Sequence, residues 1–173
     1  MEKYIPDVYQ KSIYNINYEK LYLQGIKCLL FDLDNTLVPP SIKGPTKKVS
    51  ELFVELKKMG FRIVIFSNSP KKRVKPFKEM LEVDCSASSR KPCKKKFLKV
   101  LSEYGYTIND VAIIGDQILT DILGGNKVGI LTILVNPVSK RDNIFTKFNR
   151  LIEKIIIKKL SSKGLFIKGK YYE

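Results

Sequence analysis

The feature that most narrows the fold is an alternation of short apolar, β-branched segments with stretches of helical spacing. Five segments read as strands: Ile26–Asp32, Phe61–Ser67, the weaker Asp84–Ala87, Val111–Gly115 and Ile130–Val135. Between the first two, Val49, Leu52, Phe53, Leu56 and Met59 form one apolar face within Thr46–Met59, and Gly60 supplies a stop. Further helices are expected from Pro70, from Pro92 (Phe97, Val100, Leu101 and Tyr104 inward) and, briefly, after Asp116. This alternation predicts an α/β fold around a parallel sheet. With 173 residues there is room for one domain.

In open parallel sheets ligands bind outside the carboxyl ends of the strands, and the chemically active residues fall there. Phe31-Asp32-Leu33-Asp34-Asn35-Thr36 places two carboxylates at i and i+2 past the first strand. Such a pair needs a cation or a proton to separate it, and Mg2+, a hard ion with oxygen ligands, suits it. An acidic turn capped by Asp34 or Asn35 is the plain structural alternative. Ser67-Asn68-Ser69 ends the second strand, where a hydroxyl and backbone amides can hold phosphoryl oxygens or simply cap a helix before Pro70. Arg90-Lys91-Pro92 offers a cation for a phosphoryl group, or belongs to a solvated run ending at Lys96. In Ile113–Asp121, Gly115 lets the backbone approach, Asp116 suits an oxygen ligand and Asp121 a second ligand or an orienting group. Capping explains each motif singly but not their occurrence as a set.

Composition removes competing chemistries. The chain has no histidine, which excludes hydrolases built on an imidazole base or His ligands. Cys28, Cys85 and Cys93 contain no CxxC pair, so neither a zinc site nor a disulfide framework is expected. Acid–base work falls to carboxylates, Lys or Tyr. The net charge of +15 is uneven: −1 over 1–40, +12 over 41–100, −3 over 101–139 and +7 over 140–173. Basic segments suit anionic partners such as phosphorylated substrates, nucleic acid or anionic lipid. The 27 lysines against 5 arginines also fit an A/T-rich codon bias. No apolar run approaches the roughly 18 residues of a membrane span, and the start MEKYIPDVYQ does not read as a signal peptide. A cytoplasmic protein is expected.

Taken in order, DLDNT, SNS, RKP and GDQILTD resemble the four motifs of the haloacid dehalogenase (HAD) superfamily of phosphatases, over about Ile26 to Val135. Pro6-Asp7, Lys11-Ser12-Ile13, Asp32–Leu37, Lys91-Pro92, Gly115–Asp121, Gly124-Gly125-Asn126 and Phe148-Asn149-Arg150 narrow the resemblance. They are similar to the subclass IIIA branch of YqeG-like and phosphatidylglycerophosphate phosphatases. The resemblance implies a Rossmann-like sheet of order 5-4-1-2-3, Mg2+ and a covalent aspartyl-phosphate. It makes Asp32 the nucleophile and Asp34 the acid and then the base, with its backbone carbonyl on the metal. Asp32, Asp34 and Asp116 hold the metal, Ser67 and Lys91 hold the phosphoryl group with Asn68 nearby, and Asp121 orients Lys91 or a metal-bound water.

Neither Val38–Lys57 nor Asn68–Arg90 has room for a cap domain, so an open site is expected. That suits a phosphate on a lipid headgroup, a nucleic-acid end or a protein. Phosphatidylglycerophosphate at a membrane surface is the leading expectation, and a nucleic-acid end the alternative. A receiver-like domain or a nucleic-acid-binding protein without catalysis would be a different class; Asp34 at +2 and Lys91 ahead of Asp116 speak for an enzyme. Near the C-terminus, Ile144, Phe148, Leu151 and Ile155 share a face, joined by Phe145, Ile152 and Ile156. Lys147, Arg150, Lys154 and Lys158 form a basic stripe beside it. Such a helix can lie on anionic lipid, helped by the tail Ser161–Glu173, or pack on the sheet. The chain thus divides into an N-terminal extension (1–25) packing on the core, a phosphatase core (26–139), and a basic amphipathic helix and tail (140–173).

Overall fold

A computed structural model describes residues 1–140 and 144–173, without the side chains of Ile144 and Phe145. Six strands among the described residues form one parallel sheet: β1 (Val8–Gln10), β2 (Cys28–Phe31), β3 (Arg62–Phe66), β4 (Asp84–Ser86), β5 (Val111–Gly115) and β6 (Leu131–Val135). Their order is β1-β6-β5-β2-β3-β4. The last five reproduce the expected 5-4-1-2-3, and β1 adds an edge that the sequence reading did not contain. Three residues with a glutamine among them carry too little pattern to announce a strand.

The sheet is covered on both faces, which is why its central strands read as continuous apolar runs. Leu29 and Phe31 of β2 pack with α1 (Tyr18–Leu23), α2 (Lys47–Lys58) and α3 (Lys71–Leu81), through residues such as Val49, Phe53, Val74 and Phe77. Cys28 and Leu30 face the other way, toward Phe97, Val100 and Leu101 of α4 (Lys94–Tyr104). Thr46 caps α2 by accepting from the Val49 amide (3.3 Å), and Gly60 follows its end at φ +97°, the stop that the spacing predicts.

After β5 the chain makes one π-turn, Ile118–Ile122, and continues as α5 (Leu123–Val128). The long helix α6 (Ile144–Ser162) lies over the β1–β6 end, where Leu160 joins Tyr9, Ile118, Ile122, Leu134 and Phe166. The tail folds back as well. Tyr9 and Tyr172 exchange backbone hydrogen bonds of 2.9 Å, and the Tyr9 ring meets Phe166 and Tyr171. The expectation of a tail resting on lipid is corrected for Phe166 and Tyr172, which pack against Tyr9. Asp7 locks β1 in register: its carboxylate accepts from the amide and the hydroxyl of Thr132, each at 2.8 Å. Neither segment expected to be too short for a cap domain holds one: α2 follows β2, and α3 with β4 follows β3.

Candidate active site

Three strand ends deliver the site. Asp32 follows β2, its amide still donating to Ile114 O (2.9 Å). Ser67 follows β3 and donates its amide to Ser86 O (3.1 Å), while Asp116 follows β5. All three are buried at the rim. The turn after Asp32 closes through Asn35 N to Val38 O (2.8 Å) and Leu37 N to Leu33 O (3.0 Å).

Lys91 is the hub. Its ammonium donates to Asp32 Oδ1 (2.6 Å), Asp121 Oδ1 (2.6 Å) and Phe66 O (2.8 Å), one partner for each N–H. Burial alone would pull this lysine down, but the Asp121 and Asp32 charges outweigh it and hold the ammonium above the ordinary lysine range. Burial pushes the Asp32 carboxyl up to about 8; Lys91 opposes this, while Asp121 and Asp116 add to it. Buried among other carboxylates, the ionised form of Asp32 calls for further positive charge beside it.

A divalent cation fits that need. Oxygens of Asp32, Asp116 and Asp121 lie within 4.8 Å of one another, all three residues buried. Three carboxylates against Lys91 and the Arg150 guanidinium leave the cluster negative. An all-oxygen anionic set without His or thiolate is the donor chemistry of a hard ion. Asp116 is also pushed up by burial, to about 6, with Arg150 opposing. Thr36 donates to Asp116 Oδ1 at 2.9 Å. Arg150 bonds the Asp116 carboxylate through Nη2, and Nη1 donates to Asp116 O (2.7 Å) and Glu153 Oε2 (3.2 Å).

The carboxylates that gather are those of Asp32, Asp116 and Asp121; for Asp34 the resemblance implies the backbone carbonyl, not the side chain, as the metal donor. Asp34 turns its side chain away, accepting from Ser69 Oγ (2.6 Å) and from Arg73 Nε (3.0 Å) and Nη2 (2.8 Å). Because β2 ends at Phe31, strand alternation does not align Asp32 with Asp34, and separate cations hold the two carboxylates apart. Asp121 takes the third place, brought there by the π-turn and fixed by the Gln117 amide on its Oδ2 (3.1 Å).

Asn68 borders the same pocket as Asp32, and its side-chain amide clamps the Lys91 backbone. Ser67 lines the pocket, and its Oγ accepts from the Ser69 amide (3.1 Å). Asp32, Asp34, Ser67, Asn68 and Lys91 border one open pocket of about 330 Å³, to which α6 contributes Thr146 and Asn149. Sequence alone gives no individual role to Thr36, Ser69, Arg73 or Glu153, and the spacing puts Arg150 on the basic stripe of the C-terminal helix. Arg150 is turned inward instead, since α6 uses the face of Arg150, Glu153 and Ile157 against the site. Buried Glu153, which accepts from the Leu119 amide (2.9 Å), left one trace: an acid within an apolar helix three residues after an arginine.

Comparison with known proteins agrees with this geometry. Residues 1–139 match the family described as mitochondrial PGP phosphatase. The chain is 40% identical to the probable phosphatase YqeG of Bacillus subtilis over 161 residues, covering 93% of this chain and 94% of that protein. It is 29% identical over 181 residues to phosphatidylglycerophosphate phosphatase 1 of Arabidopsis thaliana, with 93% and 49% covered. A solved hydrolase of HAD subfamily III A from Legionella pneumophila shares the fold at a TM-score of 0.52 and 19% identity, over 72% of this chain and 76% of that one. A buried aspartate at the end of β2, a lysine hub and a carboxylate cluster on a parallel sheet thus sit in a phosphatase of the HAD type, and the chain belongs to the mitochondrial PGP phosphatase family.

Proposed function

We propose that this phosphatase removes the terminal phosphate of phosphatidylglycerophosphate at an anionic membrane surface, through an aspartyl-phosphate on Asp32. The observation that carries the chemistry is Asp32 itself: buried, 2.6 Å from Lys91, and at the mouth of the pocket. Asp32 attacks phosphorus, Asp34 protonates the departing alcohol and then activates water, and Lys91 offsets the charge gathered on the phosphoryl oxygens. Ser67, which lines the pocket, would donate its hydroxyl to a phosphoryl oxygen. Asp32, Asp116 and the Asp34 carbonyl would hold Mg2+, with Asp121 beside them. The ion would neutralise phosphoryl charge and keep Asp32 ionised.

The substrate class rests on α6 and on the family. Phe148, Leu151 and Ile155 follow one another at helical spacing and stand 64%, 59% and 55% exposed. Lys147, Lys154 and Lys158 are exposed along one edge of that stripe, while Thr146 and Asn149 on the opposite side line the pocket. An apolar stripe with basic flanks beside an uncapped mouth suits a lipid headgroup presented by a bilayer, where each near-surface lysine is worth about 1 kcal/mol. Among the described residues no helix is long and apolar enough to cross a membrane.

The test is phosphate release from phosphatidylglycerophosphate in anionic vesicles, from oligonucleotide 3′-phosphates and from a soluble phosphoester. Asp32→Asn should abolish turnover on all three and keep the fold; retention of more than about a hundredth of the wild-type kcat, under ~3 kcal/mol of barrier, removes Asp32 as nucleophile. Lys154→Glu with Lys158→Glu should lower vesicle activity and spare the soluble ester, with salt mimicking the loss. A clear preference for oligonucleotides would make a nucleic-acid end the substrate.

A further inference from the structure

We propose that Arg73 is a positioning residue for the acid–base group, and that with Ser69 it decides which Asp34 oxygen carries the transferable proton. The inference deepens the proposed function and rests on its acid–base role for Asp34. Arg73 belongs to the first turn of α3, in the run Lys71-Lys72-Arg73. Lys71 and Lys72 are exposed, but the Arg73 side chain retains only 18% of its exposure. Its Nε and Nη2 both reach Asp34 Oδ1, its Nη1 donates to Ile42 O, and its guanidinium lies 4.9 Å from the centre of the Phe77 ring. Fixed on three sides, the guanidinium sets the rotamer of the carboxyl it holds.

The two Asp34 oxygens are not equivalent. A guanidinium only donates, so Oδ1 stays a proton-free acceptor. A serine hydroxyl both donates and accepts, so Ser69 Oγ, 2.6 Å from Oδ2, accommodates that oxygen with or without a proton. The transferable proton therefore belongs on Oδ2. In the first step an Asp32 oxygen pair forms the bond to phosphorus and the bond from phosphorus to the substrate alcohol breaks. The alcohol oxygen leaves with that pair and takes the Oδ2 proton. In the second step a water oxygen attacks phosphorus, its proton passes to Oδ2, and the acyl-phosphate pair returns to Asp32. One water is consumed, and an alcohol and inorganic phosphate are released. Arg73 exchanges no proton in either half; it keeps Oδ1 out of the transfer.

The experiment varies the leaving group. Glycerol 1-phosphate departs as an alkoxide that needs the proton, whereas p-nitrophenyl phosphate departs as a stable phenolate that hardly does. General-acid catalysis contributes roughly 10²–10⁴-fold, so Asp34→Asn should cost on the order of 100-fold or more in kcat on the alkyl ester and about 10-fold or less on the aryl ester. Arg73→Ala should follow the same pattern more mildly, about 10- to 100-fold against about 3-fold, with KM unchanged. Arg73→Lys should recover most of the alkyl turnover, and Arg73→Ala should add nothing in the Asp34→Asn background. Equal losses on the two esters, or full alkyl turnover in Arg73→Ala, would overturn the proposal. Should Arg73→Ala fail to fold, Arg73→Gln decides on the same pair of substrates. A leaving-group-independent Asp34→Asn would instead remove the acid–base role of Asp34 itself.

Discussion

Asn68 and Lys91 are joined by two hydrogen bonds that involve no lysine ammonium: Lys91 N donates to Asn68 Oδ1 (2.7 Å), and Asn68 Nδ2 donates to Lys91 O (3.2 Å). The side chain of one motif thus fixes the main chain of another. Asn68→Ala should lower kcat about 10-fold or more and, since Asn68 is exposed and its bonds are partly buried, reduce stability by only about 0.5–1.5 kcal/mol, the usual net contribution of a hydrogen bond. Asn68→Asp keeps the acceptor and loses the donor, and should fall between. Unchanged kcat in Asn68→Ala would mean that the ammonium contacts alone place Lys91.

Metal binding can be read without turnover. Mg2+ that binds the folded carboxylate cluster stabilises it by about 2.7 kcal/mol at a hundred times its Kd, or about 5–10 °C in Tm for a chain of this size. Chelated protein should show that rise on adding Mg2+, and Asp116→Asn should abolish it. A melting temperature indifferent to millimolar Mg2+ would count against the ion assignment.

Gly115 is required for space. It ends β5, and a Cβ built there would stand 2.2 Å from Asp121 Cγ and 2.6 Å from Asp121 Cβ. Gly115→Ala must push Asp121 off Lys91. A loss of about 1–3 kcal/mol in chemical denaturation is expected, together with a fall in kcat. Wild-type kcat in a folded variant would detach Asp121 from the chemistry.

The cysteines should separate by reactivity. Burial pushes the Cys28 thiol up to about 12, and a thiol alkylates only as its thiolate. The sign is unfavourable to reaction: between pH 7 and 9 Cys28 stays protonated as well as enclosed. Iodoacetamide should label exposed Cys93 first, Cys85 more slowly, and Cys28 only after denaturation. Labelling of native Cys28 at the rate of Cys93 would show that β2 opens.

The four inner strands were legible because each is buried on both faces, leaving apolar runs with polar residues at their carboxyl ends; β4, a half-buried edge strand, read only weakly. The motifs located Asp32, Ser67 and Asp116 for the same reason, since each is the first polar residue after an inner strand; Asp121 and Lys91 stand further on and came from the motif pattern alone. What escaped were partners supplied by side chains that look ordinary in sequence. Arg73 follows two solvated lysines and resembles them; only the fold turns it onto Asp34. Helix α6 posed a different difficulty. Ile152, Ile155, Ile156 and Ile157 surround much of its circumference, so spacing drew a stripe without saying whether it faced inward. The structure exposes Phe148, Leu151 and Ile155 and turns Glu153 and Arg150 toward the site.

The backbone pairing of Tyr172 with Tyr9 bears on any shortening of this chain. β1 is an edge strand, and a bare edge offers its amides and carbonyls to a second molecule. Tyr172 occupies that edge at Tyr9, and Phe166 and Tyr171 pack against the Tyr9 ring. Trimming the last residues would therefore uncover a template for intermolecular strand addition. Precipitation of a truncated protein, or its loss of affinity for vesicles, would report self-association along the sheet before it reported anything about lipid.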